Sequence, residues 1–433
     1  MRSNSANKRY LNNYLEKDLA TAPADRQWSH CIVIPVYQES KRVLQYWIER
    51  RFASINLLVI FVINRPDGSD PHGNEEFRKA TQSCDRIRCA EHTYLLPSEQ
   101  HNDILSIDLD MQRGALPRSE GVGLARKTGC DLALLWHAFG NIESPILYST
   151  DADAHLPDDY FERIKPNSDQ AAIFTFPFSH VSASEPDIYE ATLWYELWLH
   201  HYVLGLEFAG SPYAYHSLGS SLAISSKCYA QVGGFPKRAG GEDFYLLNKA
   251  NKTSNVVRLK GRPIELQARL STRVPFGTGP GVEKILQSKA GNEALAFYHP
   301  EIFFALRGCL QIIPKLRSRH DVINIETLLE SEGLSNALAT ASNQALKALG
   351  FVEAIEHCRK HGKTQEQFIK QFNQWFDGFK TLKFIHAIKA SEWPDLSFKD
   401  LKSVSPSLWP NDSAQADDVL ALQKIIQDYW GWQ

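Results

Sequence analysis

The chain has 433 residues, 22% of them charged and 43% hydrophobic, with a formal net charge of −3. That balance gives no electrostatic footprint for a nucleic acid or an anionic membrane. At roughly 150 residues per domain the length implies two or three domains, ample for a buried core.

Residues 1–29 form a polar lead-in with one short helix and no apolar segment of the kind a secretory signal carries. The β-branched runs at 31–35 and 57–63 read as buried parallel strands. Between them, Val43, Tyr46 and Trp47 repeat at helical spacing over 40–53. Strand, helix, strand is a βαβ unit, whose crossover is right-handed. Val122, Ala125, Gly129, Leu132, Ala133 and Trp136 predict a helix over 121–138 that feeds a strand at 146–150. A helix resumes at Pro157, another strand covers 171–176, and an aromatic helix covers 188–208. A short strand at 222–225 and a helix at 242–250 follow. From about residue 290 glycines thin out, and 301–317, 323–348, 352–361, 364–390 and 416–430 carry helical patterns. The predicted organisation is therefore a lead-in (1–29), a mostly parallel α/β domain (30–290) and a helical C-terminal region (291–433).

The seven cysteines, at 31, 84, 89, 130, 228, 309 and 358, are odd in number and scattered. They form no CxxC pair and read as thiols of a reducing cytoplasm. The most apolar stretch, 193–208, is interrupted by Glu196, His200, His201 and Glu207. It falls short of the ~20 apolar residues a transmembrane helix needs. The expected location is cytoplasmic, with peripheral membrane contact left open.

Chemistry concentrates at the ends of the predicted strands, where open α/β sheets bind their ligands. Asp151-Ala-Asp153 follows the apolar strand directly. Two carboxylates one residue apart can hold a divalent cation if a diphosphate completes its coordination. A helix cap and a turn is the competing reading. About 90 residues later, Gly240-Gly241-Glu242-Asp243 opens a helix. A carboxylate there can take a proton from an incoming hydroxyl, with Glu242 orienting the acceptor. Simple capping of the positive helix end also explains it.

Pro35-Val-Tyr37-Gln-Glu39 follows the first strand, where Tyr37 can stack on a base and Glu39 can accept from it or from a ribose. Asn64-Arg-Pro-Asp67-Gly follows the second strand and combines turn chemistry with two polar groups at the mouth. Gly121-Val-Gly123-Leu-Ala-Arg126-Lys127 opens a helix without the strand and third glycine of a dinucleotide fingerprint, so Arg126 or Lys127 facing a phosphate or base is the preferred reading. The glycine-dense stretch 271–281 holds Arg273, which can stabilise a leaving diphosphate; an interdomain connector is the alternative. His216, before a Ser-Leu-Gly-Ser-Ser run, can line an acceptor site; an ordinary core or surface histidine is the competing reading.

In this order, Ile-Val-Ile-Pro-Val-Tyr-Gln-Glu, Gly-Leu-Ala-Arg-Lys-Thr-Gly, Asp-Ala-Asp, Gly-Ser-Ser-Leu-Ala-Ile-Ser, Val-Gly-Gly-Phe-Pro and Gly-Glu-Asp-Phe resemble family 2 glycosyltransferases of the GT-A fold. The resemblance spans residues 30 to about 285. It implies donor binding by Pro35, Tyr37, Glu39, Asn64 and Asp67, with Asp151 and Arg126 beside the nucleotide. It also implies Mg²⁺ or Mn²⁺ on Asp153 with Asp151 helping, and Asp243 as the base for inverting displacement. The donor would be a UDP- or GDP-sugar and the acceptor a hydroxyl, in a hexosyltransferase-like reaction. Asn64-Arg65 stands where the family carries an acidic pair, about 50 residues separate Asp67 from Gly121, and no histidine offers a third metal ligand. A nucleotidyltransferase and a non-catalytic nucleotide-sugar binding protein are the alternatives.

Overall fold

The structure is a computed structural model. It describes residues 5–99, 102–117, 119–165, 172–182, 185–270, 277–290, 295–318, 324–404, 408–416 and 418–433. Two compact units emerge: Met1–Glu185 with Ser217–Pro280 and Trp432–Gln433, and Pro186–His216 with Gly281–Gly431.

In chain order the elements are α1 (Ser5–Asn13), β1 (His30–Val36), α2 (Lys41–Glu49), β2 (Leu57–Ile63), α3 (Glu75–Gln82), β3 (Ile87–Ala90), β4 (Thr93–Leu96), β5 (Asp103–Asp108) and α4 (Leu109–Arg113). Next come α5 (Gly121–Phe139), β6 (Ile146–Ser149), β7 (Ala154–His155), β8 (Ala172–Thr175), β9 (Phe178–Val181) and α6 (Pro186–Phe208), which belongs to the second unit. The first unit resumes with β10 (Leu222–Ser225), α7 (Ser226–Val232), α8 (Glu242–Thr253), β11 (Asn255–Arg258) and β12 (Ile264–Gln267).

Nine strands form one sheet in the order β11-β8-β10-β6-β1-β2-β5-β4-β3. Its centre, β6-β1-β2-β5, is parallel, with Val36 opposite Ile63 and Ile63 opposite Asp108. Every residue of β2 is buried, as expected for a strand covered on both faces. β10 runs antiparallel to both β6 and β8. A second sheet, β7-β12-β9, stands beside it.

The helix expected at Pro157 is absent; 158–162 is turn. Ala154–His155, just before it, pairs antiparallel with β12. The long insertion after Asp67 folds as α3, the β3–β4 hairpin and β5, which extends the sheet on that side. The lead-in is no loose arm. Tyr10 of α1 is 1% exposed, and its hydroxyl donates to Asp131 Oδ1 at 2.8 Å.

The second unit is helical: α6, α9 (Thr278–Ala290), α10 (Pro300–Leu316), α11 (Ile325–Ser331), α12 (Asn336–Ala348), α13 (Phe351–His361), α14 (Gln365–Trp375), α15 (Gly378–Lys389), α16 (Phe398–Val404) and α17 (Val419–Trp430). Asn324, Ser335, Thr364, Asp377 and Asp418 each cap the helix that follows, accepting a backbone N–H two or three residues on. Ile302, Phe303, Leu306, Leu346, Phe368 and Phe384 lie in its core. Among the described residues no helix is long and apolar enough to cross a membrane.

Candidate active site

Three segments beyond the parallel strands bring the acids of the first unit together. β6 delivers the first. Thr150 N–H donates to Val33 O at 3.1 Å, and Thr150 Oγ1 donates to Ser220 O at 2.8 Å, so the Asp151–Asp153 loop is tied down on two sides.

The start of α5 and the loop before α8 are clamped together by a backbone approach that needs glycine. Gly123 N–H donates to Arg238 O at 2.9 Å. A Cβ at Gly123 would lie 2.6 Å from Arg238 N and closer still to Pro236 O, a collision with backbone. This contact places α5 against the loop that leads into the Gly240-Gly241 turn and so into Glu242 and Asp243. Gly219 is small for a related reason: a Cβ there would stand 2.5 Å from Arg126 Nη2.

Arg126 is the centre of the result. Its Nε donates to Glu242 Oε1 at 3.0 Å and its Nη2 to Asp151 Oδ1 at 2.5 Å. Its Nη1 donates to Ser149 Oγ at 2.7 Å and to Thr150 O at 3.3 Å. The Arg126 side chain is 3% exposed and that of Glu242 6%, whereas Asp151 is 42% exposed. Burial opposes the guanidinium charge, yet Asp151 and Glu242 more than offset it and hold Arg126 ionised. The residue expected to face a phosphate is therefore buried behind the acids, joining two of them.

A second arginine serves the other side. Arg269 Nε lies 2.8 Å from Asp153 Oδ2, and its Nη2 donates to Glu39 Oε1 at 3.1 Å. The sequence offered no local signal for Arg269. It is placed by register: Leu266 of β12 pairs with Ala154 of β7, so the residues after β12 run back beside Asp153.

The charges are felt across the cluster. Burial, the adjacent Glu242 charge and Asp151 push the Asp243 carboxyl up to about 7, against the pull of a hydrogen bond from Phe244 N–H at 2.7 Å and of Arg126. Burial likewise raises Asp153, with Asp151 and Glu39 adding to the shift and Arg269 opposing it. Asp151 acts on both, so 151, 153 and 243 share one electrostatic neighbourhood.

The remaining candidates divide. Pro35 and Tyr37 are half-buried at the end of β1, and Glu39 is buried. Asp67 is exposed in its turn, which is closed by its N–H donating to Leu116 O at 2.8 Å. Asn64 sits at the sheet edge, but its amide donates to Val36 O at 3.1 Å and Val62 O at 3.3 Å. Arg65 pairs with Asp110 at 2.8 Å, and Arg78 pairs with Asp108 at 2.6 Å and Asp110 at 3.0 Å. Acids do lie near the end of β2, supplied by the end of β5 and the start of α4. Lys127 points away from Arg126 and donates to Asp131 Oδ2 and Tyr10 Oη, both at 2.6 Å. Arg273 lies outside the described residues. His200 and His216 belong to the helical unit, where their ring nitrogens approach to 3.0 Å.

Among the described residues no three His, Cys, Asp or Glu side chains are arranged to hold a metal ion. Asp151 and Asp153 nevertheless supply the hard carboxylate oxygens that Mg²⁺ and Mn²⁺ take. Five acids (Glu39, Asp151, Asp153, Glu242, Asp243) adjoin two guanidiniums (Arg126, Arg269). The surplus of negative charge suits a divalent cation whose remaining ligands come from a bound diphosphate.

No family model and no curated protein sequence matches the chain. Similar solved structures include three that hold a nucleotide or nucleotide sugar. A mannosyltransferase from Pyrobaculum calidifontis, PcManGT in complex with GDP-Man and Mn²⁺, is 14% identical over 84% of this chain and 91% of that chain, with a TM-score of 0.33. S. aureus TarS 1-349 in complex with UDP-GlcNAc is 12% identical over 93% of this chain and 91% of that chain, with a TM-score of 0.33. The same protein in complex with UDP is 10% identical over 80% of this chain and 90% of that chain, with a TM-score of 0.30. At TM-scores this low the likeness carries no argument about activity, and the functional reading rests on the cluster of acids and arginines.

Proposed function

We propose that the chain is a family 2 glycosyltransferase with a GT-A-type domain, moving a sugar from a UDP- or GDP-sugar to a hydroxyl acceptor. The observation that carries this reading is the gathering of Asp151, Asp153, Glu242 and Asp243 around two arginines beyond the ends of the parallel strands. The location suits a ligand of an open α/β sheet.

Asp243 is the base. A carboxyl held near 7 is matched to taking a proton from a hydroxyl as the oxygen gains its new bond. Glu242 holds that carboxyl up by its charge and is itself fixed by Arg126. Arg126 is a positioning residue: it sets the distance between the Asp151 loop and the start of α8 without meeting solvent. Tyr37, Pro35, Glu39 and Asp67 line the nucleotide end, and Asn64 shapes it from the backbone. Mg²⁺ or Mn²⁺ held by Asp153, with Asp151 beside it, would supply positive charge to the departing diphosphate. Arg273 is a further candidate for that role. The acceptor hydroxyl attacks opposite the leaving group, giving inversion.

The test is a donor panel. UDP- and GDP-sugars incubated with the protein and Mn²⁺ should release nucleoside diphosphate from one donor, and Asp243→Asn should stop it. Nucleotide binding that is indifferent to cation, with no donor consumed, would show a binding module instead.

A further inference from the structure

Arg269 and Arg126 both neutralise acids of the cluster, but they are built differently. Arg126 is 3% exposed and donates to Ser149 and Thr150 as well as to its carboxylates. Arg269 is 33% exposed and pairs with two carboxylates, those of Glu39 and Asp153. Those acids are 6% and 18% exposed. The backbone just before Arg269 is anchored, with Ala268 N–H donating to Val181 O at 3.0 Å. The side chain thus leaves a backbone that is held in place, with its guanidinium partly exposed.

The guanidinium occupies Asp153 Oδ2, one of the two oxygens open to a divalent cation there, and neutralises the charge that would attract it. Arginine and cation compete for one carboxylate. A diphosphate changes the balance, because its oxygens match the planar guanidinium fork at least as well as two carboxylates do. We propose that Arg269 is the resident counter-cation of Glu39 and Asp153 in the donor-free protein, and that it turns to the donor diphosphate and releases Asp153 to the metal. This rests on the transferase reading and adds to it an order: the cation binds weakly alone, and the diphosphate strengthens it. By reciprocity the cation must strengthen the diphosphate by the same factor.

The test is Mn²⁺ titration by EPR on the full chain, with and without UDP or GDP, for wild type, Arg269→Gln, Arg269→Lys and Asp153→Asn. Without nucleotide, Arg269→Gln should bind Mn²⁺ roughly tenfold tighter than wild type, inside the 5- to 150-fold span usual for coupled sites. With nucleotide the difference should close, and the diphosphate itself should bind Arg269→Gln more weakly. Arg269→Lys keeps the charge without the fork, so it should fall between the two and serve if the glutamine variant fails to fold. If wild type with nucleotide binds Mn²⁺ through Asp153 but neither Arg269 variant alters metal affinity, the exchange is wrong and the transferase reading stands. If wild type with nucleotide binds no Mn²⁺ and Asp153→Asn changes nothing, the metal role and the exchange both fall.

Discussion

Replacing Arg126 with glutamine removes the charge that joins Asp151 to Glu242 while keeping a polar side chain in the space. The pair with Glu242 is buried, at 3% and 6% exposure, and breaking such a pair by deleting one partner costs about 3–5 kcal/mol. Asp151, 42% exposed, is screened by solvent and adds no more than a surface pair, about 0–1 kcal/mol. For a unit of this size each kcal/mol moves Tm by about 2–4 °C, so the variant should melt roughly 6–24 °C below wild type at pH 8. The deficit should shrink on acidification. Protonation removes the stranded charge of a buried, unpaired carboxylate, so the folded state recovers stability as pH falls. Adding Glu242→Gln should restore much of the loss, since no buried charge then remains at that pair. Thermal melts of wild type, both single variants and the double variant at pH 5 and pH 8 decide the matter. A deficit under about 1 kcal/mol at pH 8, or a double variant no better than Arg126→Gln, would refute a buried charge pair as the joint.

Asp243→Asn should lower turnover by about 10²–10⁴-fold with the fold retained. Wild-type kcat/KM should climb as pH rises through about 7, where Asp243 loses its proton, and a profile flat from pH 5 to 9 would contradict the base assignment. The same carboxyl ionises earlier in the unfolded chain, so its contribution to stability is fullest at low pH and is lost as pH rises towards 7; Asp243→Asn should flatten that slope in denaturant titrations. Gly123→Ala forces a methyl into the Pro236–Arg238 backbone and should cost about 1–3 kcal/mol while depressing activity through Glu242 and Asp243. Lys127→Met strands Asp131, whose side chain is 0% exposed, and should cost about 3–5 kcal/mol in urea unfolding, with donor binding unchanged.

Much of the first unit was readable because its strands are long apolar runs and its acids sit where those runs stop. β1, β2, β6 and α5 lie close to where periodicity predicts them. β5 escaped notice because Asp103-Ile-Leu-Ser-Ile-Asp108 mixes acids into a fully buried strand. Its polar groups are met only in the fold, as where Trp28 Nε1 donates to Asp103 Oδ2 at 2.9 Å. Arg269 was missed for a similar reason. It lies just ahead of the glycine-dense stretch and in no periodic pattern, and only the pairing of β12 with β7 carries it to Asp153. The neighbouring Arg273, in the glycine-rich stretch, carries the stronger local signal. Arg126 was read as a cation at a helix start, but which acids it would meet depends on how closely Gly123 lets two backbones approach. α6 was legible as a helix; its grouping with the C-terminal helices comes from long-range packing, such as Gln423 Nε2 donating to Leu193 O at 2.6 Å.

The most direct measurement is a crystal structure of the chain soaked with UDP or GDP and Mn²⁺, with the manganese located by its anomalous signal. The account predicts one manganese peak in coordination distance of Asp153, the diphosphate against it, and the Asp243 carboxyl facing the space beyond the terminal phosphate. Manganese and nucleotide bound elsewhere, with Arg269 still closed on Asp153, would contradict it.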